Sequence, residues 1–439
     1  MNLIQRSALL TVAFFSTTAL CYAQTPAEAP VRKSQTLFAN TASDYPYRIP
    51  SLDQHPSGQL IALAGWLKCG TDIGFGRCDI LARTSDDQGR TWSEPFTVIR
   101  GTGSPDRRTD GRIYNDFTYG FGDAAIVCDR ETGTLLTLCA AGGVAWPFSD
   151  VTDGFEKTLR CAQFRGTSDA QGHWTFFPPE DITESVYSII PPSAKAAFVG
   201  SGELCQSSRI KVGSHYRIYA PFCTYSGNYV LYSDDLGHTW HPLGVGADGA
   251  QLAVANGNEP KCEELPNGDV LLSSRKAHGR YYNIYKYTDA TTAEGSWQQQ
   301  ADSDAFPEGL HLGGNACNGD VLLLSAIRRA DNTPVWLLLQ SLPAANTRAD
   351  VSIVYKEIPA DPTPADIADH WPVENVCRIS TQTSAYSTMC LQQDGTIGFF
   401  YEESYTQQVK IGDGYDLIYR NLSLEEITSG KYALQPATR

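Results

Sequence analysis

Six short glycine-bearing loops recur along the chain: Pro56-Ser-Gly58, Glu131-Thr-Gly133, Val212-Gly213, Pro266-Asn-Gly268, Asn318-Gly319 and Gln393-Asp-Gly395. Most precede a β-rich run such as Gln59-Leu-Ile-Ala-Leu or Asp320-Val-Leu-Leu-Leu-Ser. Each reads as a hairpin turn, because glycine supplies the left-handed backbone that a tight loop between antiparallel strands needs. The mean step is about 67 residues, the length that a blade of four short strands with its loops requires. Helical periodicity is scarce beyond the N-terminal segment, and runs rich in Val, Ile, Tyr, Phe and Thr lie between Gly, Pro, Asn and Asp clusters. The pattern predicts an all-β fold, a six-bladed β-propeller, with no linker dividing residues 24–439.

A second repeat marks the turns. Ser85-Asp-Asp-Gln-Gly-Arg-Thr-Trp92 and Ser233-Asp-Asp-Leu-Gly-His-Thr-Trp240 share one pattern, S-x-D-x-G-x-T-W. Ser168-Asp-Ala-Gln-Gly-His-Trp174 and Thr292-Ala-Glu-Gly-Ser-Trp297 are degraded copies. The Asp caps backbone N–H groups, the Gly takes a positive φ and the Trp packs beneath the turn. The motif is a staple, and its acids are structural.

Two hairpins carry residues of another kind. In Asn258–Arg275, three loop residues centred on Asn267 place Glu259 opposite Arg275. In Tyr386–Glu402, a loop centred on Asp394 places Tyr386 opposite Glu402. As plain cross-strand contacts such pairs are worth ~0.2–1 kcal/mol each. Their recurrence at the open ends of like hairpins points to a site.

The repeated turns resemble the Asp boxes of the sialidase (neuraminidase) family, and other segments follow that family's order from about residue 36 onward. Tyr47-Arg-Ile-Pro50 is similar to its [FY]-R-I-P motif, which implies that Arg48 is the first of three arginines holding a sialic acid carboxylate. Asn258-Glu-Pro260 with Arg275 resembles the segment of the base and the second arginine. Gln340-Ser-Leu-Pro343 followed by Thr347-Arg-Ala-Asp350 resembles that of the third, Arg348; Arg329-Ala-Asp331 is a decoy with the same triplet. Ala385-Tyr-Ser-Thr388 with Tyr401-Glu402 resembles the segment of the nucleophile, Tyr386, and of the acid steadying the first arginine, Glu402. Gly122-Asp-Ala-Ala-Ile-Val-Cys-Asp-Arg130 is similar to a second-blade motif whose leading acid, Asp123, lines the sugar site. In the family the acid–base group is an Asp on a mobile loop between the first arginine and the first box. Here that loop is Lys68–Asp79, and Asp72, flanked by Gly70, Gly74 and Gly76, is preferred to Asp79, which opens the next strand run.

These residue types suit the chemistry the resemblance implies. Guanidinium groups bind a carboxylate with planar, charge-assisted bonds and stay charged when desolvated. Buried arginines call for a carboxylate such as Glu402 among them. A carboxylate nucleophile would be repelled by an acidic substrate, whereas a phenol is neutral; its pKa near ~10 then demands a base, Glu259. Sialidases with a tyrosine nucleophile are a recognised exception to the two-carboxylate glycosidase scheme.

The formal net charge is −15, which excludes nucleic acid and anionic membranes as expected partners. An anionic ligand must therefore be met by a local arginine cluster. The start Met1-Asn-Leu-Ile-Gln-Arg6, the apolar run from Ala8 to Phe15 and Ala19–Ala23 read as a signal peptide over residues 1–23, and no other stretch is apolar enough to insert in a membrane. The mature chain is expected to be soluble and exported, periplasmic or secreted. Of 12 cysteines, 11 remain after Cys21. Cys69 and Cys78 are a candidate bridge in an oxidising compartment, with buried thiols the alternative. No ligand spacing suggests a metal, and no cofactor is implied. The expectation is an exo-α-sialidase acting on sialylated glycans with retention of configuration. The alternatives are a trans-sialidase, an anhydro-forming sialidase, or a binding propeller without catalysis.

Overall fold

Six strands line a common axis: Tyr47–Gln54, Phe121–Cys128, Cys205–Val212, Asn258–Glu264, Val321–Arg328 and Ser384–Leu391. Each begins a sheet of four or more strands, and the sheets are the blades of a six-bladed β-propeller. The computed structural model describes residues 34–435, apart from residues 107, 109, 313–316, 407–411 and 413. The expected signal peptide lies outside the described residues. Among these residues no helix is long and apolar enough to cross a membrane.

The ring closes with strands from both ends of the chain. Gln35–Phe38 adds to the outer edge of the last blade, pairing Gln35 with Tyr419 and Phe38 with Leu417. The outer edge of this blade is therefore a strand of only 4 residues, and a short edge strand is a poor template for non-specific strand addition. Between blades the inner halves of the sheets interlock. Ile61, Leu63 and Ile80 of the first blade pack on Phe121, Ile126 and Phe164 of the second, all essentially without solvent contact. Burying side chains of this size stabilises the fold by ~1.5–3 kcal/mol each.

Five of the six glycine loops turn the first hairpin of a blade as expected: Gly58, Gly133, Gly213, Gly268 and Gly395 all have positive φ between the first two strands. Asn318-Gly319 does not. It precedes the strand Val321–Arg328, and the fifth blade turns instead at Asn332, with φ 58°. Gly319 is needed for another reason: a Cβ there would run into the Ser341 carbonyl.

The staple turns join the third strand of a blade to its outer edge. Ser85 Oγ accepts from Gly89 N–H at 2.9 Å, and Asp87 Oδ1 accepts from the N–H groups of Arg90 and Thr91 at 2.9 and 2.8 Å. Ser233 and Asp235 repeat this with Gly237 and Thr239. Trp92 lies edge-on to Tyr419, 5.0 Å between centroids, so the turn is pinned to the neighbouring blade.

Candidate active site

Four inner strands carry the same irregularity where they start. Register shifts by one residue between Arg48 and Ser51, Gly122 and Ala125, Asn258 and Pro260, and Ser384 and Ser387. A β-bulge adds one residue to its strand and re-aims a side chain. This corrects the expected registers. Asn258, not Glu259, is paired with Arg275, and Glu259 sits in the bulge. Tyr386 likewise sits in a bulge, with Ser384 paired to Glu403 and Ser387 to Tyr401. The glycine turns alone fix a register only up to the first bulge. Two of the bulges hold residues at positive φ, Ile49 at 61° and Asp123 at 55°. For a β-branched residue this backbone is strained by about 1–3 kcal/mol, a cost that clusters at functional sites.

Because all four bulges lie at the same end of the axis, their side chains converge. A cavity of about 330 Å3 is lined by Arg48, Asp72, Asp123, Glu259, Arg275, Arg348 and Tyr386. These are seven of the eight residues singled out in the sequence; the eighth, Glu402, lies beneath, with no solvent contact. Glu402 accepts from Arg48 Nε at 2.7 Å and Nη2 at 3.3 Å, from Ile49 N–H at 2.8 Å and from Tyr386 N–H at 3.0 Å. One carboxylate thus fixes the first arginine and two bulges. Burial would lower the pKa of Arg48, and the Glu402 charge overrides it, so the guanidinium is held above its ordinary value.

The second cluster joins two blades. The Tyr386 hydroxyl donates to Glu259 Oε1. Arg275 Nη1 donates to Glu259 Oε2 at 2.7 Å and to the Tyr386 oxygen at 3.5 Å. Burial, then the Glu259 charge, pushes the phenol well above its ordinary pKa, while Arg275 acts the other way. Arg348 is half-buried on the cavity wall, and among the described residues no carboxylate lies within ion-pair distance of it. The decoys are elsewhere: Arg328 pairs with Glu357 and Asp331, and Arg329 with Glu425.

Asp72 is exposed at the rim. Asp79 is buried and bound by Arg77 at 2.9 and 2.7 Å and by Gly101 N–H at 2.9 Å. The expected flexibility of the Asp72 loop is not what its glycines provide. Gly74, at φ 93°, lies against the Ala145 backbone, Gly76 lies under Cys69, and Gly412 abuts Gly70. These glycines permit close packing that any side chain would block. Cys69 and Cys78 are unbridged thiols, 3.9 Å between sulfurs.

Sequence reasoning missed the apolar wall and one aromatic. Ile73, Phe75, Trp146, Leu159 and Phe198 also line the cavity, with Trp146 edge-on to Phe198 at 4.9 Å. Tyr415 lies under Arg48, 5.1 Å from ring centroid to guanidinium carbon, a cation–π arrangement. The available signals were Trp146-Pro-Phe148 outside any β-alternation and the glycines around Tyr415. Asp123, half-buried beside Asp72 and Glu259, has its pKa raised from 3.8 to about 7, chiefly by desolvation. Among the described residues no group of three or more metal-ligating side chains is arranged to hold an ion. A larger cavity, about 400 Å3, opens at the other end of the axis around Asp53, Glu203, Glu263 and Asp320, and none of the clamp residues reaches it.

The fold and site define a class: a six-bladed propeller that gathers three arginines and a tyrosine–glutamate pair at one mouth of its axis. Comparison with known proteins narrows it. The chain is 28% identical over 393 residues to "Sialidase" of Micromonospora viridifaciens, an alignment covering 86% of this chain and 53% of that protein. The chain therefore spans about half the length of this curated relative. No family model matches. Among solved structures, the intramolecular trans-sialidase of Ruminococcus gnavus superposes with a TM-score of 0.67 at 17% identity, covering 93% of this chain and 100% of that one. NanB sialidase of Streptococcus pneumoniae, as its K499G mutant, superposes with a TM-score of 0.66 at 15% identity, covering 92% and 72%. The chain is thus a sialidase homologue in sequence, and its fold is that of the solved sialidases.

Proposed function

We propose that the chain is an exported exo-α-sialidase that releases terminal sialic acid from glycoconjugates with retention at the anomeric carbon. The observation that carries this reading is the Tyr386–Glu259–Arg275 triad facing two further arginines across one cavity. The substrate carboxylate sits between Arg48, Arg275 and Arg348. Asp72 protonates the leaving oxygen. As positive charge grows at the anomeric carbon, Tyr386 Oη attacks it and passes its proton to Glu259. In the second half Asp72 takes a proton from water, the water displaces the tyrosine, and Glu259 returns the proton to the phenolate. A neutral nucleophile beside an anionic substrate avoids the repulsion a carboxylate would meet, and Glu259 overcomes the high phenol pKa. The apolar wall around Trp146 and Phe198 suits a non-polar substituent of the sugar, and Asp123 its hydroxyls. None of these steps uses a cofactor. Export rests on the basic start and apolar run of residues 1–23.

The test is hydrolysis of a fluorogenic aryl sialoside, with the first-formed sugar followed by NMR. The α anomer appearing first is the expected result, and the β anomer appearing first overturns retention. A 2,7-anhydro sugar, or transfer to an added glycan, identifies the intramolecular or intermolecular transferase instead. Binding of sialic acid without turnover identifies a binding propeller.

A further inference from the structure

The loop that carries Asp72 leaves and re-enters the first blade on adjacent rungs. Leu67 is paired with Cys78, and Cys69 N–H donates to the Arg77 carbonyl at 3.2 Å. The ladder thereby fixes the backbones of Cys69 and Cys78 next to each other. Both side chains are fully buried, and their sulfurs are 3.9 Å apart.

The thiols point at the segment they enclose. Cys69 Sγ donates to the Thr71 carbonyl at 3.3 Å and lies 4.0 Å from the Asp72 carbonyl; Cys78 Sγ lies 3.8 Å from Thr71 O. Gly76 makes room for this, because a Cβ there would fall on the Cys69 side chain. On the far side the loop is bounded by Ala145 against Gly74 and by Gly412 against Gly70. Asp72 therefore sits on a short segment with neighbours on two sides and a thiol pair underneath.

We infer that Cys69 and Cys78 are a dithiol–disulfide couple that positions the Asp72 loop; this rests on the reading of Asp72 as the acid–base group. The oxidant is a small disulfide such as oxidised glutathione. When the loop opens and exposes Cys69, its thiolate attacks one of those sulfurs, the donor S–S bond breaks, and one glutathione leaves and takes up a proton. Cys78 gives up its proton and attacks Cys69 Sγ in the mixed disulfide, releasing the second glutathione as a thiol. Two protein thiols become one disulfide while one donor disulfide becomes two thiols. The hydrogen bond from Cys78 holds the Cys69 thiol below its ordinary pKa, which makes Cys69 the attacking sulfur. In the product the sulfurs close to ~2.05 Å. The bond then holds the ends of the loop together, where only weak S–H contacts held the turn before. Restricting the excursions of Asp72 favours the geometry in which it reaches the leaving oxygen.

The test has three arms on the full-length chain in graded glutathione buffers. Alkylation followed by peptide mapping reads the couple: Cys69 and Cys78 are expected to lose alkylation together, their peptides 2 Da lighter, a mass of two hydrogens. Alkylation of both in every buffer overturns the couple. Hydrogen exchange across residues 69–78 reads the loop without substrate and is expected to slow on oxidation; unchanged exchange overturns the positioning role. The third arm compares leaving groups. An alkyl sialoside needs its leaving oxygen protonated, whereas an aryl one needs little help, so reduction is expected to lower kcat for the alkyl substrate about threefold or more and to leave the aryl rate and both KM values unchanged. An equal response of both substrates, or of neither, overturns the inference. Turnover of neither sialoside in either redox state overturns the proposed activity, and the exchange arm still decides the loop. The paired variant Cys69→Ser, Cys78→Ser keeps hydroxyl donors near Thr71 O and is expected to show the dithiol rate in every buffer; a surviving redox response overturns the assignment.

Discussion

The hydroxyl of Tyr386 donates to the carboxylate of Glu259, although 127 positions separate them in the chain and they belong to different blades. Each stands in a bulge at the start of an inner strand, and each is 16 positions from the partner that steadies its hairpin, Arg275 for Glu259 and Glu402 for Tyr386. The site is therefore one hairpin design used twice and turned to face itself across the axis.

That contact makes Tyr386 the test of mechanism. A 3-fluoro sialosyl fluoride destabilises positive charge at the anomeric carbon and slows both steps, while its good leaving group lets the first proceed. An adduct is expected by intact-protein mass spectrometry, mapped to the peptide containing Tyr386. Tyr386→Phe should lose the adduct yet still bind sialic acid through the arginines. A labelled peptide from another blade would show that the nucleophile is elsewhere.

The arginines differ in what supports them, yet all three line the cavity, and the proposed function has each of them meet the anionic substrate. Replacing Arg48, Arg275 or Arg348 by Ala should cost about 2–5 kcal/mol of interaction. In kcat/KM that is roughly thirty- to several-thousand-fold. Arg329→Ala should change little, since Arg329 is paired with Glu425 outside the site. A damaging Arg329→Ala beside a silent Arg348→Ala would falsify the assignment of the third arginine.

Glu402 has structural consequences as well. Glu402→Gln leaves Arg48 without a countercharge in a mostly buried position, and breaking a buried pair from one side costs about 3–5 kcal/mol. Urea unfolding should show a loss of that order together with weaker sialic acid binding. A loss below about 1 kcal/mol would mean that Arg48 finds another partner.

Asp123 sets a pH dependence with a definite sign. Its folded pKa, about 7, lies above the ordinary 3.8, so between these values the folded state holds a proton that the unfolded state has released. The stability it contributes is present at low pH and is lost as pH rises from about 4 through about 7. Asp123→Asn keeps the shape of the neutral acid and should flatten that part of the profile of Tm against pH. An unaltered profile would show that folding does not raise the Asp123 pKa.

Gly74 tests the packing of the acid loop. A Cβ at Gly74 meets the Ala145 backbone, which neither side can move cheaply, and φ 93° strains any other residue. Gly74→Ala should therefore lower turnover of alkyl sialosides more than that of aryl ones, because the displaced group is Asp72. If both substrates suffer equally, the change has damaged the cavity as a whole.

The amino-acid sequence by itself determined the repeat, the class of fold and the identity of the side chains that meet. Glycine turns and capped Asp staples are local: a positive φ or a side chain accepting from N–H groups a few residues away is written in consecutive residues, so Gly58, Gly268, Asp87 and Asp235 were legible. Whether a glycine marks a turn or a close approach was not, because the obstacle, Ser341 for Gly319 or Ala145 for Gly74, comes from elsewhere in the chain. The bulges at Glu259 and Tyr386 were hidden for a related reason. A hairpin loop sets register near itself, while the extra residue far from the loop is fixed by the axial mouth, where Glu402 binds the N–H groups of Ile49 and Tyr386 at once. Only the tertiary structure could decide the apolar wall of Trp146 and Phe198 and the ring of Tyr415 under Arg48. Apolar residues in loops carry no periodicity, and their role follows from which cavity they meet when the blades close into a ring.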